Sequence, residues 1–175
     1  MSTIEAARQF AILAHAGQKR KYTGADYSTH PIRVSEAAEA YGLCIESVMA
    51  AALHDVEEDS PQFVPEMREK FSTEVTDLVH WLTNPSKGST LPRAKRKEMD
   101  RNHLKVAPYD VRVIKAIDRL DNVREMGGAD REFRYMYAGE SLLLADALVE
   151  AGSGSTLEDL VEQLKKAAVE LSHKT

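Results

Sequence analysis

The stretch Val48-Met49-Ala50-Ala51-Ala52-Leu53-His54-Asp55-Val56-Glu57-Glu58-Asp59 decides how this chain is read. Its first six residues are apolar, hold no Gly or Pro, and predict a buried helix. The next six contain one imidazole and four carboxylates. Groups of that kind are costly to take out of water unless they are paired or bound to a metal. Residues three and four apart share a helix face, so Glu58 is expected over His54 and Asp55, and Asp59 over Asp55. The pattern offers an imidazole and a carboxylate as metal ligands, with further carboxylates one turn on to handle a water. The competing role for His54 is that of a packed core histidine.

At 175 residues the chain fits one domain. Hydrophobic residues make up 43% of it and aromatics only 6%, which favours helix-on-helix packing over a sheet-rich core. With one cysteine, Cys44, no disulfide forms within the chain, and a reducing, cytoplasmic compartment is expected. Met1-Ser2-Thr3-Ile4-Glu5 lacks the basic and apolar regions of a signal peptide. No apolar run approaches the ~20 residues of a membrane span. The formal net charge of −5 argues against nucleic-acid binding by charge. A phosphate-bearing small molecule must therefore be met by local basic clusters.

Helix signals recur along the chain. Ser2 to Glu5 fits a capping box with Ser2 as the cap; Ile4, Ala7, Ala11 and Ala14 then form one face, and Gly17 ends the helix. Pro31 suits the first turn of a second helix, which Gly42 breaks. Ser60-Pro61 opens a connector into Val64–Phe71, and Ser72 caps a helix through Leu82. Leu91–Val106, Val111–Val123, Asp130–Ala151 and Thr156–Ser172 complete the helical pattern. Tyr22, Thr23 and Tyr27 flank Gly24, so a short hairpin or ordered loop is expected near residues 20–29. The expected fold is all-α, a helical bundle with that small irregular or β element, forming a single domain over 1–175.

Two further groups join His54 and Asp55 as candidate ligands. His30 sits just before Pro31, and Asp118 follows Ile117 in a mainly apolar helix with Asn122 on its face. Two imidazoles and two carboxylates suit Mn²⁺, Fe²⁺ or Zn²⁺ better than Mg²⁺, which prefers all-oxygen shells. Lys19-Arg20-Lys21 leads into His30, and Arg93, Lys95, Arg96 and Lys97 follow Pro92. Two positive clusters on an acidic protein fit a polyphosphate substrate. Each group also has a structural alternative. His30 could cap a helix, Asp118 could pair with Lys115 or Arg119, and the basic runs could be solvated faces. His15, near a helix end, suits a C-terminal dipole partner.

Taken in order, several motifs resemble the HD-type hydrolase domain of RelA/SpoT-type enzymes, which remove the 3′-pyrophosphate of (p)ppGpp. They are Ala14-His15-Ala16-Gly17-Gln18-Lys19-Arg20-Lys21, then Gly24, Tyr27 and His30-Pro31, then Ala52–Ser60, then Asp118-Arg119-Leu120-Asp121-Asn122. The resemblance covers roughly residues 5–145 and is to a stand-alone small alarmone hydrolase, since the sequence stops about where a synthetase domain follows in the long enzymes. It implies one Mn²⁺ per chain held by His30, His54, Asp55 and Asp118. It implies that Glu58 and Asp59 position and activate the attacking water. Arg20 and Lys21 match residues lining the nucleotide site, Arg93 a phosphate contact, and Asn122 the residue beside metal and substrate. Tyr137, or else Tyr135, would close on the nucleotide.

The implied reaction is Mn²⁺-dependent hydrolysis of ppGpp or pppGpp to GDP or GTP and pyrophosphate. Alternatives are a related phosphohydrolase, on an adenine alarmone or the 2′-phosphate of NADPH, and a non-catalytic nucleotide sensor. The sequence departs from the family pattern at Asp26, Glu57 and Asp121. Asp26 places a negative charge near the expected phosphate site.

Overall fold

The computed structural model describes residues 3–174. Ten α-helices are named in chain order: α1 (Ile4–Ala14), α2 (Thr29–Ala40), α3 (Ile45–Leu53), α4 (Val56–Asp59), α5 (Val64–Lys70), α6 (Thr73–Leu82), α7 (Arg93–Lys105), α8 (Tyr109–Glu125), α9 (Arg131–Val149) and α10 (Ser155–His173). Short 3₁₀ turns at Pro61–Phe63 and Met126–Gly128 join some of them. No strand forms among the described residues, in line with the all-α expectation. The element near residues 20–29 is an ordered loop closed by one antiparallel bridge between Lys19 and Asp26. Inside it the Arg20 N–H donates to Ala25 O and the Gly24 N–H to Arg20 O, both at 2.9 Å.

Caps explain several boundaries. Ser2, the expected first cap, lies outside the described residues. Thr3 Oγ1 accepts the Ala6 N–H at 3.1 Å and starts α1. Ser72 and Asp130 do the same for α6 and α9, accepting from Val75 and Phe133. Gly17, at φ +81°, ends α1 in a conformation that a residue with a Cβ adopts only at a cost. His30 lies one residue inside α2 rather than in the loop before it.

The chain forms two compact units. The first holds the described residues up to Arg20 together with Gly24–Lys87. At its centre is α3, against which α1, α2 and α6 pack. Every side chain from Ser47 to Leu53 is buried there. A helix covered on several sides has no need of a polar stripe, which is why Val48–Leu53 is uniformly apolar. Removing one such side chain from water is worth ~1.5–3 kcal/mol. The helix stops at Leu53, and His54 and Asp55 form the joint before α4.

The second unit holds Lys21–Thr23 and the residues from Gly88 onward. Here α8 is the buried helix, with Val111, Val113, Ile114, Ala116, Ile117, Leu120 and Val123 inside. The apolar stripe of α10, including Leu157, Leu160, Leu164 and Leu171, packs along α8 and α9. Arg112, buried on α8, donates to the Leu148 and Gly152 carbonyls at the end of α9. A cation there satisfies orphan carbonyls and opposes the helix dipole.

Candidate metal centre

Because α3 ends at Leu53, His54 and Asp55 sit at a helix joint, with backbone groups released from the regular ladder. The Nδ1 of His54 lies 2.8 Å from the Ala51 carbonyl. A carbonyl only accepts, so Nδ1 carries a proton, and in the neutral imidazole that leaves the Nε2 lone pair for a metal. Nε2 of His54 faces Asp55 Oδ1 at 3.3 Å, and Nε2 of His30 faces Asp55 Oδ2 at 3.7 Å. The three residues offer ligand atoms that all lie within 4.8 Å of one another. Both histidines are about 1% exposed, a setting hard to reconcile with idle polar side chains. Two ring nitrogens and a carboxylate fit a divalent transition metal. These residues can therefore hold such an ion.

The acidic turn that follows divides its work. Glu58 Oε1 accepts the Asn84 N–H, which ties it to the segment after α6. Glu57 pairs with His80 at 2.9 Å. Asp59 pairs with Lys87 at 3.1 Å. The Tyr27 hydroxyl lies 2.9 Å from Asp55 Oδ2 and 3.0 Å from Asp59 Oδ2. Burial first, then the charges of Asp55 and Asp59, push this phenol far above its usual range, so it remains a donor. Lys87 escaped the sequence reading, and Tyr27 entered it as a motif residue without a role. Nothing in a lone Lys beside Gly88 or a Tyr before a His-Pro pair announces a carboxylate partner. Asp26, the departure that added negative charge, is paired with Lys19 at 2.6 Å. His15 is buried at the end of α1, where its Nδ1 meets Gln18 Oε1 at 3.0 Å.

The remaining candidate residues, apart from Arg20, belong to the second unit. Asp118 is buried on α8 and pairs with Lys115 at 2.9 Å, while the Asn122 amide donates to its other oxygen. The ion pair offered as its structural alternative is thus present. Arg93, at the start of α7, grips Glu140 of α9 through two hydrogen bonds of 2.7 and 2.9 Å. That hydrogen bonding holds the Arg93 pKa above its ordinary value. The rest of the basic run disperses: Lys95 pairs with Glu98, and Lys97 with Asp100. Burial lowers the Lys97 pKa.

Tyr137 is buried and its ring stacks on Phe133 with centroids 5.9 Å apart. Tyr22 lies on the other part of this cluster, 6.1 Å from Phe133. The cations Lys21, Arg93 and Arg119 sit over its rings. Tyr135, the other candidate, is 72% exposed. In the first unit the Arg20 guanidinium lies over the Tyr27 ring at 5.4 Å. Glu140 and Phe133 were also missed from sequence, since each looks like an ordinary helical residue until its partner is known.

Known proteins share this arrangement of sequence and fold. The chain is similar to a guanosine-3′,5′-bis(diphosphate) 3′-pyrophosphohydrolase of Aquifex aeolicus, at 35% identity over 141 residues, covering 79% of this chain and 20% of that protein. It is 36% identical over 135 residues to the bifunctional (p)ppGpp synthase/hydrolase SpoT of Escherichia coli K12, covering 74% of this chain and 19% of that protein. It therefore spans about a fifth of the length of these curated relatives. A solved metazoan ortholog of SpoT, described as hydrolysing ppGpp and acting in starvation responses, superposes with a TM-score of 0.80 at 26% identity, covering 95% of each chain. Residues 7–144, which run from α1 into α9, match the model of the HD domain, and the chain belongs to that family.

Proposed function

We propose that this chain is a metal-dependent 3′-pyrophosphohydrolase of guanosine alarmones, converting ppGpp and pppGpp to GDP and GTP with release of pyrophosphate. The observation that carries the reading is the convergence of His30, His54 and Asp55 at the joint after α3. The activities printed for the similar Aquifex aeolicus and metazoan proteins support the substrate. In this reading one Mn²⁺ per chain is held by His30, His54 and Asp55, with Asp118 as the fourth ligand. Such an ion, when bound, acidifies a water and polarises a phosphoryl oxygen.

The protein's own groups do the rest. Glu58, assisted by Asp59, orients the attacking water and takes its proton. Arg20, Lys21 and Arg93 neutralise charge that develops on the phosphate. Asn122 keeps Asp118 oriented beside the substrate, and Tyr137 closes on the nucleotide. The reading takes 1–175 as one HD-type phosphohydrolase domain acting in the cytoplasm on a small molecule.

The deciding experiment supplies ppGpp and Mn²⁺ to the purified protein and follows GDP and pyrophosphate. An adenine alarmone and NADPH run in parallel. Release of pyrophosphate and GDP is the expected result. Turnover of NADPH alone would move the substrate assignment, and binding of ppGpp without turnover would make the protein a sensor.

A further inference from the structure

The Tyr27 hydroxyl has one proton and two carboxylate acceptors, Asp55 Oδ2 at 2.9 Å and Asp59 Oδ2 at 3.0 Å. Its ring is fixed by what surrounds it. His15 lies against it with centroids 4.9 Å apart, and His30 meets it edge-on at 6.4 Å. His15 is held in turn by Gln18, whose amide donates to Ser60 Oγ at 3.1 Å and to the Asp59 carbonyl at 3.3 Å. Ser60 then donates to the Ala14 carbonyl at 2.7 Å, which closes the network on α1. The half-buried phenol is thus held by ring packing and by hydrogen bonds to Asp55 and Asp59, all within the first unit. Lys87 engages the other oxygen of Asp59.

We propose that Tyr27 is a positioning residue for hydrolysis: by sharing its proton between Asp55 and Asp59 it sets the metal-ligating carboxylate and the water-handling carboxylate at a fixed separation. This rests on the hydrolase reading above. Two carboxylates that approach the same point repel unless a donor lies between them. The hydroxyl supplies that donor and leaves Asp55 Oδ1 on the His54 side. Outer groups that orient a ligand typically affect metal affinity or activity 10–100-fold.

The test compares Tyr27→Phe with wild type, since Phe keeps the ring and removes only the hydroxyl. Melting of the metal-free proteins checks the fold, calorimetric titration with Mn²⁺ measures affinity, and steady-state kinetics on ppGpp at saturating Mn²⁺ separates kcat from KM. The metal-free variant should stay folded while its Mn²⁺ dissociation constant rises ~10-fold or more. Its kcat should fall with little change in KM. Because the hydroxyl acts through Asp59, Tyr27→Phe added to Asp59→Asn should lower kcat little further. Unchanged Mn²⁺ affinity, or losses in kcat that multiply in the double variant, would overturn the proposal. So would a metal-free Tyr27→Phe that no longer folds, because the hydroxyl would then be a structural pin. A wild type that binds Mn²⁺ but leaves ppGpp intact would remove the substrate reading alone; the Mn²⁺ titration would still decide the hold of Tyr27 on Asp55.

Discussion

Glu58 and Asp59 are adjacent carboxylates with different surroundings. Asp59 is engaged by the Tyr27 phenol at one oxygen and by the Lys87 ammonium at the other. Glu58 is oriented through one oxygen by the Asn84 backbone N–H, which fixes its direction. Glu58 is accordingly the proposed proton acceptor. Glu58→Gln keeps size and helix propensity but removes the acceptor charge. It should retain Mn²⁺ and bind ppGpp while losing ~10²-fold or more in kcat. Wild-type turnover in that variant would transfer the role to Asp59. The residues of this site were legible to different degrees. His54 and Asp55 stood out because an apolar run led directly into them. Tyr27, Lys87 and Glu140 did not, because their meaning lies in a partner 28, 28 and 47 positions away.

At the scale of elements, the helices were legible because apolar spacing and caps agree, as at Ser72, Asp130 and Gly17. The interruption after Leu53 was not. Val56, Glu57 and Glu58 have no breaker among them, and the joint at His54 and Asp55 appears only in the folded chain. Another element-level fact concerns the basic run of α7. From sequence it was one cluster, yet its members take different partners, and Arg93 forms a bidentate pair with Glu140 of α9. If Arg93 contacts the 3′-pyrophosphate, Arg93→Ala removes a charge-assisted contact worth roughly 1.5–3 kcal/mol. It also leaves Glu140 unneutralised beside a polyanion. The variant should therefore weaken ppGpp far more than GDP, with Mn²⁺ binding unchanged, and Arg93→Ala/Glu140→Ala should recover part of the loss. Equal weakening of ppGpp and GDP would place Arg93 away from the 3′-phosphates. No recovery in the double variant would mean that Glu140 lies too far from them to repel.

For the whole molecule, the decisive quantity is how metal binding is linked to folding. His30 comes from the first turn of α2, while His54 and Asp55 come from the end of α3. An ion held by all three joins two helices that pack on each other in the first unit. The unfolded chain has these ligands scattered between positions 30 and 55, so it binds the ion weakly. A ligand that prefers the native state stabilises it by about 2.7 kcal/mol at one hundred times its dissociation constant. For a chain of this length, 1 kcal/mol corresponds to roughly 2–4 °C in melting temperature. Saturating Mn²⁺ should then raise the midpoint of chelator-treated protein by about 5–11 °C. His54→Ala removes one nitrogen from the set and should abolish that rise together with ppGpp turnover. Asp118→Ala is the informative comparison. Loss of the Mn²⁺-dependent rise in that variant would make Asp118 a ligand, whereas a full rise would leave it a structural role through its contacts with Lys115 and Asn122. Identical melting of wild type with and without Mn²⁺ would mean that the triad holds no ion, and the hydrolase reading would fall with it.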